Sequence, residues 1–268
     1  MCVSTPTRKP LDRHELWSLL SEKSDFWTEV DVVSVTGSTN ADLAEAARHG
    51  AGEGRVLVAE EQSAGRGRLD RQWTSPACAG LTMSFLLRPA LPREQWGTLG
   101  LVTAVALEET LKAVCGLNAK LKWPNDVLLD GRKVCGILAQ VEGGAVIVGT
   151  GLNVSLTEEE LPVPTGTSLA IAGAAELDRA TIAASFLAHL AAVYRSWNEC
   201  GPASVIERWR RNSDTLGRHV AVSFPNGRKL SGRAVDIDDD GCLRIDPGDG
   251  AVETVAAGDI VHLRPQDI

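Results

Sequence analysis

Residues 134–154 read VCGILAQVEGGAVIVGTGLNV. Two apolar runs flank Gly143-Gly144, a two-residue turn signal, so the stretch reads as a β-hairpin whose strands pair antiparallel. Around it, strands and helices interleave without a regular βαβ period. VDVVSV (30–35), VLVAEEQ (56–62) and LTMSFLLRP (81–89) read as strands. NADLAEAARHG (40–50), closed by Gly50, reads as a helix that Ser38, Thr39 or Asn40 could cap. REQWGTLGLVTAVALEETLKAVCG (93–116) has apolar residues at helical spacing and stops at Gly116, and DRATIAASFLAHLAAVYRSWNE (178–199) places Ile182, Phe186, Leu190, Val193, Tyr194 and Trp197 on one helical face. The fold class that follows is α+β, with a mixed, largely antiparallel central sheet and packed helices, rather than a doubly wound parallel sheet.

Beyond Asn212 the composition changes. Short strands (HVAVSF, LSGRAVDI, CLRID, VETVAA, DIVHL) alternate with PNG, DDDG and PGDG turns, the pattern of a small β-barrel. Three parts are expected: an N-terminal extension over 1–29 with one helix in LDRHELWSLL, a main α+β domain over 30–212, and a C-terminal barrel over 213–268.

A chain of 268 residues, 44% hydrophobic, can bury a sizeable core. Its 27 basic and 35 acidic residues give a net charge of -8, which argues against a general grip on nucleic acid through phosphate neutralisation; any bound anion must be met locally. Cys2, Cys78, Cys115, Cys135, Cys200 and Cys242 show no CxxC or Cys/His spacing, so they read as reduced thiols rather than a zinc site or disulfide framework. The first residues contain no apolar signal segment, and no stretch approaches the ~20 apolar residues of a membrane span. A cytoplasmic protein is expected.

Four stretches carry chemistry. In EQSAGRGRLDRQW (61–73), glycines let an anion approach the backbone N–H groups, while Arg66, Arg68 and Arg71 offer planar charged forks that suit carboxylate or phosphate. KWPNDV (122–127) projects Asn125 and Asp126 from a turn beside Lys122, although PND is also an ordinary turn and Trp123 can be core. Lys133 enters an apolar strand; it either snorkels to solvent or points inward and needs an anionic partner. GTGLNV (149–154) ends the hairpin with two glycines and Asn153, which a simple bulge would also accommodate. Each is weak alone, yet together they supply hydrogen bonders and excess positive charge, as two anionic reactants brought together would require.

GSTN (37–40), EEQSAGRGRLDRQW (60–73), KWPNDVLL (122–129), GRKVCGIL (131–138) and GTGLNV (149–154), in this order and approximate spacing, resemble the biotin protein ligases, in a short form lacking the N-terminal helix-turn-helix domain. The resemblance covers roughly residues 30–268. It implies a class II synthetase-like catalytic domain with an SH3-like C-terminal barrel, and activation of biotin by ATP and Mg2+ to biotinyl-5'-AMP with release of pyrophosphate. Biotin then passes to one lysine of a biotin carboxyl carrier domain. Carried over by position, Ser38, Thr39, Asn40 and Gln62 would meet biotin, and Gly65, Arg66, Gly67 and Arg68 would form the biotin and adenylate loop. Lys133 would sit between carboxyl and α-phosphate, stabilising charge together with Arg66 or Arg68. Trp73, Asn125, Asn153 and Arg264 resemble nucleotide-side residues; Lys122, Asp126 and Arg71 stay open between structural and phosphate or metal roles, and no metal ligand is assigned.

Two departures stand out. Asp70 replaces a glycine common in family loops, placing an acid inside the cationic loop, and Val134-Cys135 replaces a usual Leu-Ala. Lipoate ligases use similar chemistry but lack the GRGR loop. A DNA-binding regulator would need more than the residues before Val30 to form a winged domain, and a silent biotin-binding protein sits poorly with Lys133 and an intact arginine loop. The expectation is an enzyme that binds neither nucleic acid nor membrane, as a monomer or weak homodimer.

Overall fold

The computed structural model describes residues 8–68, 71–224, 227–248, 250–256 and 259–262. Helix α1 (Arg13–Ser21) starts at Asp12, whose carboxylate accepts the His14 and Glu15 amides at 2.7 and 3.0 Å. Leu16 and Leu20 are fully buried, so this helix of the expected extension is part of the core.

Strand β1 (Glu29–Thr36), helix α2 (Thr39–Arg48) and strand β2 (Arg55–Gln62) form a crossover unit in which β1 and β2 pair parallel. β3 (Gly80–Leu87) adds antiparallel to β2. A 3-10 segment (Arg93–Thr98) leads into α3 (Leu99–Cys115), so the helix expected over 93–116 is shorter than its apolar pattern. Gly97 disfavours an α-helical turn there, and the Thr98 hydroxyl binds the Gln95 carbonyl at 2.6 Å. Gly116 closes α3 in the left-handed region, at φ 69°.

β4 (Lys120–Lys122), β5 (Asp126–Leu129), β6 (Arg132–Glu142) and β7 (Ala145–Asn153) complete a seven-stranded sheet ordered β1-β2-β3-β7-β6-β5-β4. β6 and β7 are the hairpin read from the sequence, paired from Cys135↔Leu152 to Glu142↔Ala145 across Gly143-Gly144. Helices α4 (Arg179–Cys200, capped by Asp178) and α5 (Ala203–Asn212) follow. Among the described residues no helix is long and apolar enough to cross a membrane.

The period-2 alternation of β3 and β7 sorts residues between two faces. Leu81, Met83, Phe85, Val146, Val148 and Leu152 join α1, α3 and α4 in the main core. Leu86, Ala145 and Ile147 pack under α2 on the other face. Farther along that second face, β7 presents Gly149 and Gly151 instead of apolar side chains, and the sheet is left bare there.

β8 (His219–Ser223), β9 (Lys229–Ile237), β10 (Leu243–Asp246), β11 (Glu253–Val255) and β12 (Asp259–His262) form a second, wholly antiparallel sheet ordered β11-β10-β9-β8-β12. Trp123 joins the two sheets: its amide donates to Thr215 Oγ1 and its indole Nε1 to the Gly241 carbonyl, both at 3.0 Å.

Candidate active site

The bare face of β6 and β7 forms the floor of a cleft of about 1010 Å3. Its walls are the N-terminus of α2, the arginine loop, the turn before β5 and the end of β12. The glycines are required by close approach rather than by dihedral freedom. A Cβ at Gly151 would stand 2.2 Å from Trp73 Cε2, and one at Gly149 2.2 Å from Asn40 Oδ1.

The position of Lys133 depends on a break in register. β5 and β6 pair Asp126↔Gly136 and Val127↔Cys135, but Leu128 then faces Lys133, so Val134 is an extra residue bulged out of the ladder. Val134 and Cys135 both enter the main core. Lys133, three residues before Gly136 and otherwise on the opposite face, is turned onto the glycine floor, where a Cβ at Gly136 would meet its Nζ at 3.0 Å. There Nζ forms an ion pair with Asp126 Oδ1 at 2.5 Å and lies 5.9 Å from the centre of the Trp73 ring. The contact is close but off the hydrogen-bond direction, so Asp126 Oδ1 is buried without an in-line donor. Lys133 also pairs by backbone with the segment beside it, its amide donating to the Thr165 carbonyl at 2.8 Å. Cys135, behind the floor, is inert: burial pushes its thiol up to about 12.

The arginine loop folds back on itself. The Gly67 amide donates to the Arg71 carbonyl at 2.7 Å and the Trp73 amide to the Gly65 carbonyl at 2.9 Å, with Arg66 bridged to Gln72. Gly65 is buried in this turn, where a Cβ would be 2.3 Å from the Trp73 carbonyl oxygen.

At the opposite end, Ser38 is the N-cap residue of α2 but makes no side-chain cap bond. The Thr39 amide is capped instead by Gln62 Oε1 at 2.8 Å, and the Thr39 hydroxyl lies 3.0 Å from the same oxygen and 2.7 Å from Ser84 Oγ. Ser84 donates to Asn40 Oδ1 at 2.6 Å, and Asn40 Nδ2 donates to the Leu138 carbonyl at 3.2 Å and Gln140 Oε1 at 2.8 Å. The positive end of the helix dipole thus points into the cleft.

Thirteen residues singled out from the sequence line this one space: Ser38, Thr39, Asn40, Gln62, Arg66, Gly67, Arg68, Arg71, Trp73, Lys122, Asn125, Asp126 and Lys133. Asn125 Nδ2 is committed to the Ile137 carbonyl at 2.9 Å. Asn153 is not brought into the cleft; its amide donates to the Thr167 carbonyl at 2.9 Å and ties down the end of β7. Arg264 and Asp70 lie outside the described residues.

Sequence reasoning missed Ser84, Gln140, Asp214, Arg218 and His262. Ser84, like Thr82, is a polar residue on an even position of a largely apolar strand, a signal that would have marked that face as the site's. His262 ends β12 against the cleft, with Nδ1 3.6 Å from Asp214 Oδ2 and Nε2 3.3 Å from Thr215 Oγ1. Burial, then the nearby Lys122 charge, pull its pKa down to about 4, so it is neutral near pH 7. Asp214 also pairs with Arg218 at 2.5 Å. Six cationic side chains, those of Arg66, Arg68, Arg71, Lys122, Lys133 and Arg218, line one cleft. That concentration suits a carboxylate and a polyphosphate held together.

Comparison with known proteins gives the same answer by another route. Residues 32–156 match the model of the biotin/lipoate A/B protein ligase family and residues 215–263 that of the biotin protein ligase C-terminal domain. The chain is 43% identical to the biotin--[acetyl-CoA-carboxylase] ligase of Mycobacterium tuberculosis, over 96% of this chain and 97% of the relative. It is 32% identical to the bifunctional ligase/repressor BirA of Bacillus subtilis, over 86% of this chain and 72% of that protein. The solved structure of the biotin protein ligase from Aquifex aeolicus in complex with biotin and ATP superposes with a TM-score of 0.77 at 26% identity, covering 88% of this chain and all of the other. Matched in sequence over nearly its whole length and in fold over 88% of it, the chain belongs to the biotin protein ligases of the biotin/lipoate A/B protein ligase family.

Proposed function

We propose that the protein joins biotin to a lysine of a biotin carboxyl carrier domain in two steps within this cleft. In the first, a carboxylate oxygen of biotin attacks the α-phosphorus of ATP. The bond to the β-phosphate bridging oxygen breaks, pyrophosphate leaves, and biotinyl-5'-AMP forms. In the second, the neutral amine of a carrier lysine attacks the acyl carbon, the bond from that carbon to the phosphate oxygen breaks with its pair leaving on AMP, and the nitrogen gives one proton to solvent as the amide forms.

The observation that carries this reading is Lys133, turned by the bulge at Val134 onto the glycine floor between Asp126 and Trp73. From there its ammonium faces the place where two anions meet and where charge grows on the phosphorus centre. Arg66 and Arg68 close the same space from the loop, sharing the charge and keeping water from the mixed anhydride. Thr39 and Gln62 meet the biotin ring system, and Trp73 offers its ring to the adenine. Neither step calls for an enzyme nucleophile, and burial keeps the Cys135 thiol under the floor protonated.

Among the described residues no group of three or more His, Cys, Asp or Glu side chains could hold a metal ion. Asp126 is a carboxylate of the cleft that would help hold a magnesium ion brought in with the nucleotide. Bound there, it would neutralise phosphate charge.

We assign residues 30–212 to the catalytic unit and 213–268 to the C-terminal barrel, supported by the change from a mixed to an antiparallel sheet between α5 and β8. Binding of nucleic acid is not part of the reading, in keeping with the net charge of -8. The test is incubation with biotin, MgATP and a purified carrier domain, read by mass spectrometry. One biotin on one lysine is expected; an unmodified carrier alongside an active control ligase would overturn the transfer step.

A further inference from the structure

Hydrogen-bond directions at the α2 end of the cleft can be assigned from groups that have only one possible role. The Leu138 carbonyl can only accept, so the Asn40 atom facing it is Nδ2, and the atom of Gln140 that meets Nδ2 at 2.8 Å is Oε1. Asn40 Oδ1 then takes the single hydroxyl proton of Ser84 at 2.6 Å. Ser84 Oγ, its proton used, can only accept from Thr39 Oγ1 at 2.7 Å. The Thr39 backbone N–H fixes Gln62 Oε1 as the acceptor at 2.8 Å, which leaves Gln62 Nε2 as the end of that amide with no hydrogen bond among the described residues. The Thr39 proton is therefore consumed inside the protein, by Ser84 Oγ or by Gln62 Oε1. Toward the cleft, Thr39 Oγ1 offers lone pairs and Gln62 Nε2 offers N–H.

We propose that Gln140 and Ser84 are positioning residues that act through Asn40 and Thr39 to fix this acceptor-and-donor polarity, and with it the choice of acid. A cyclic urea, with N–H beside C=O, complements the pair; a dithiolane or an alkyl chain does not. The inference rests on the biotin reading above and adds to it the residues that set selectivity. It also moves Asn40 from ligand to scaffold, since both ends of its amide are engaged by protein and it lies against the β7 backbone that Gly149 leaves open. If the Asn40 amide turned over, Ser84 would donate to Thr39 and fill the lone pair meant for the substrate. Two acceptors hold it against turning, the Leu138 carbonyl at 3.2 Å and, closer at 2.8 Å, the half-buried Gln140 on β6.

The experiment is steady-state pyrophosphate release by wild type, Gln140→Leu and Gln140→Glu, each with biotin and with lipoic acid. Loss of the acceptor in Gln140→Leu is expected to raise KM for biotin about tenfold, with kcat and KM for MgATP unchanged. Gln140→Glu, which keeps an acceptor, restores it. Ser84→Ala, where folded by circular dichroism, moves KM in the same direction as Gln140→Leu. An unchanged KM for biotin in Gln140→Leu, or equal damage in Gln140→Glu, overturns the proposal while leaving the ligase reading intact. A wild-type protein that uses lipoic acid and not biotin overturns the acid assignment, and the polarity argument with it.

Discussion

Lys133 Nζ stands 2.5 Å from Asp126 Oδ1, across a register in which Asp126 pairs with Gly136 rather than with Lys133. The pair exists because the bulge at Val134 brings two residues of opposite strand parity to one face. Asp126 is thus the anionic partner that an inward-pointing Lys133 requires, and it holds the ammonium over the floor before substrates arrive. Replacing it by Asn keeps the shape and removes the charge. Asp126→Asn is expected to lower kcat for adenylate formation by about 10- to 100-fold through misplacement of Lys133, with Tm nearly unchanged. Pyrophosphate release and a thermal melt on the same preparation check both halves; wild-type kcat would show that the ion pair is incidental.

Gly151 is the second place where backbone and side chain are matched. Its missing Cβ is what lets the Trp73 indole rest on β7, 2.2 Å from where that carbon would be. Gly151→Ala is expected to lift the indole and raise KM for MgATP about tenfold or more, with KM for biotin little changed. Equal rises for both substrates would place Trp73 elsewhere than on the nucleotide side.

Stability has its own test, far from the chemistry. Arg179 Nη1 and Nη2 meet Glu60 Oε2 and Oε1 at 2.5 and 3.1 Å, with both side chains almost wholly buried, and Arg179 also caps the Gly80 and Lys9 carbonyls. Arg179→Met leaves a buried carboxylate without its partner, and is expected to cost about 3–5 kcal/mol. The corresponding fall in Tm is on the order of 10 °C, with Michaelis constants unchanged below the transition.

His262 links the second sheet to the cleft in a pH-dependent way. Its pKa is depressed from 6.5 to about 4, by burial first and then by Lys122, with Arg218 adding to the effect and Asp214 opposing it. Between those values the unfolded chain binds more protons than the folded one. The stability held in neutral His262 is therefore complete above pH 6.5 and is lost as pH falls toward about 4. Melts between about pH 7 and about pH 5 are expected to show a steeper loss of Tm in wild type than in His262→Gln.

Much of this was legible in the sequence, and what was not has a physical reason. The hairpin over 134–154, the crossover helix ended by Gly50 and the α4 face from Ile182 to Trp197 rest on local signals and are found in the structure. The start of α3 was misread because apolar spacing continues through Gly97 while the backbone there is 3-10. The arginines and KWPND were visible as charge and turn chemistry. The orientation of Lys133 was not, because a bulge depends on pairing with a strand whose register the sequence does not print. Ser84 and Gln140 were passed over as strand residues, since their meaning comes from Asn40 on a helix far away in the chain.

The measurement that reaches the centre of the account is pyrophosphate release from ATP by the purified protein, with biotin, lipoate or octanoate, in wild type and Lys133→Ala. The account predicts release that depends on biotin and falls by about 10²–10³-fold in the variant, with the variant's thermal stability retained. Biotin-dependent release at the wild-type rate in Lys133→Ala would contradict it, and release with lipoate alone would move the protein to the lipoate side of the family.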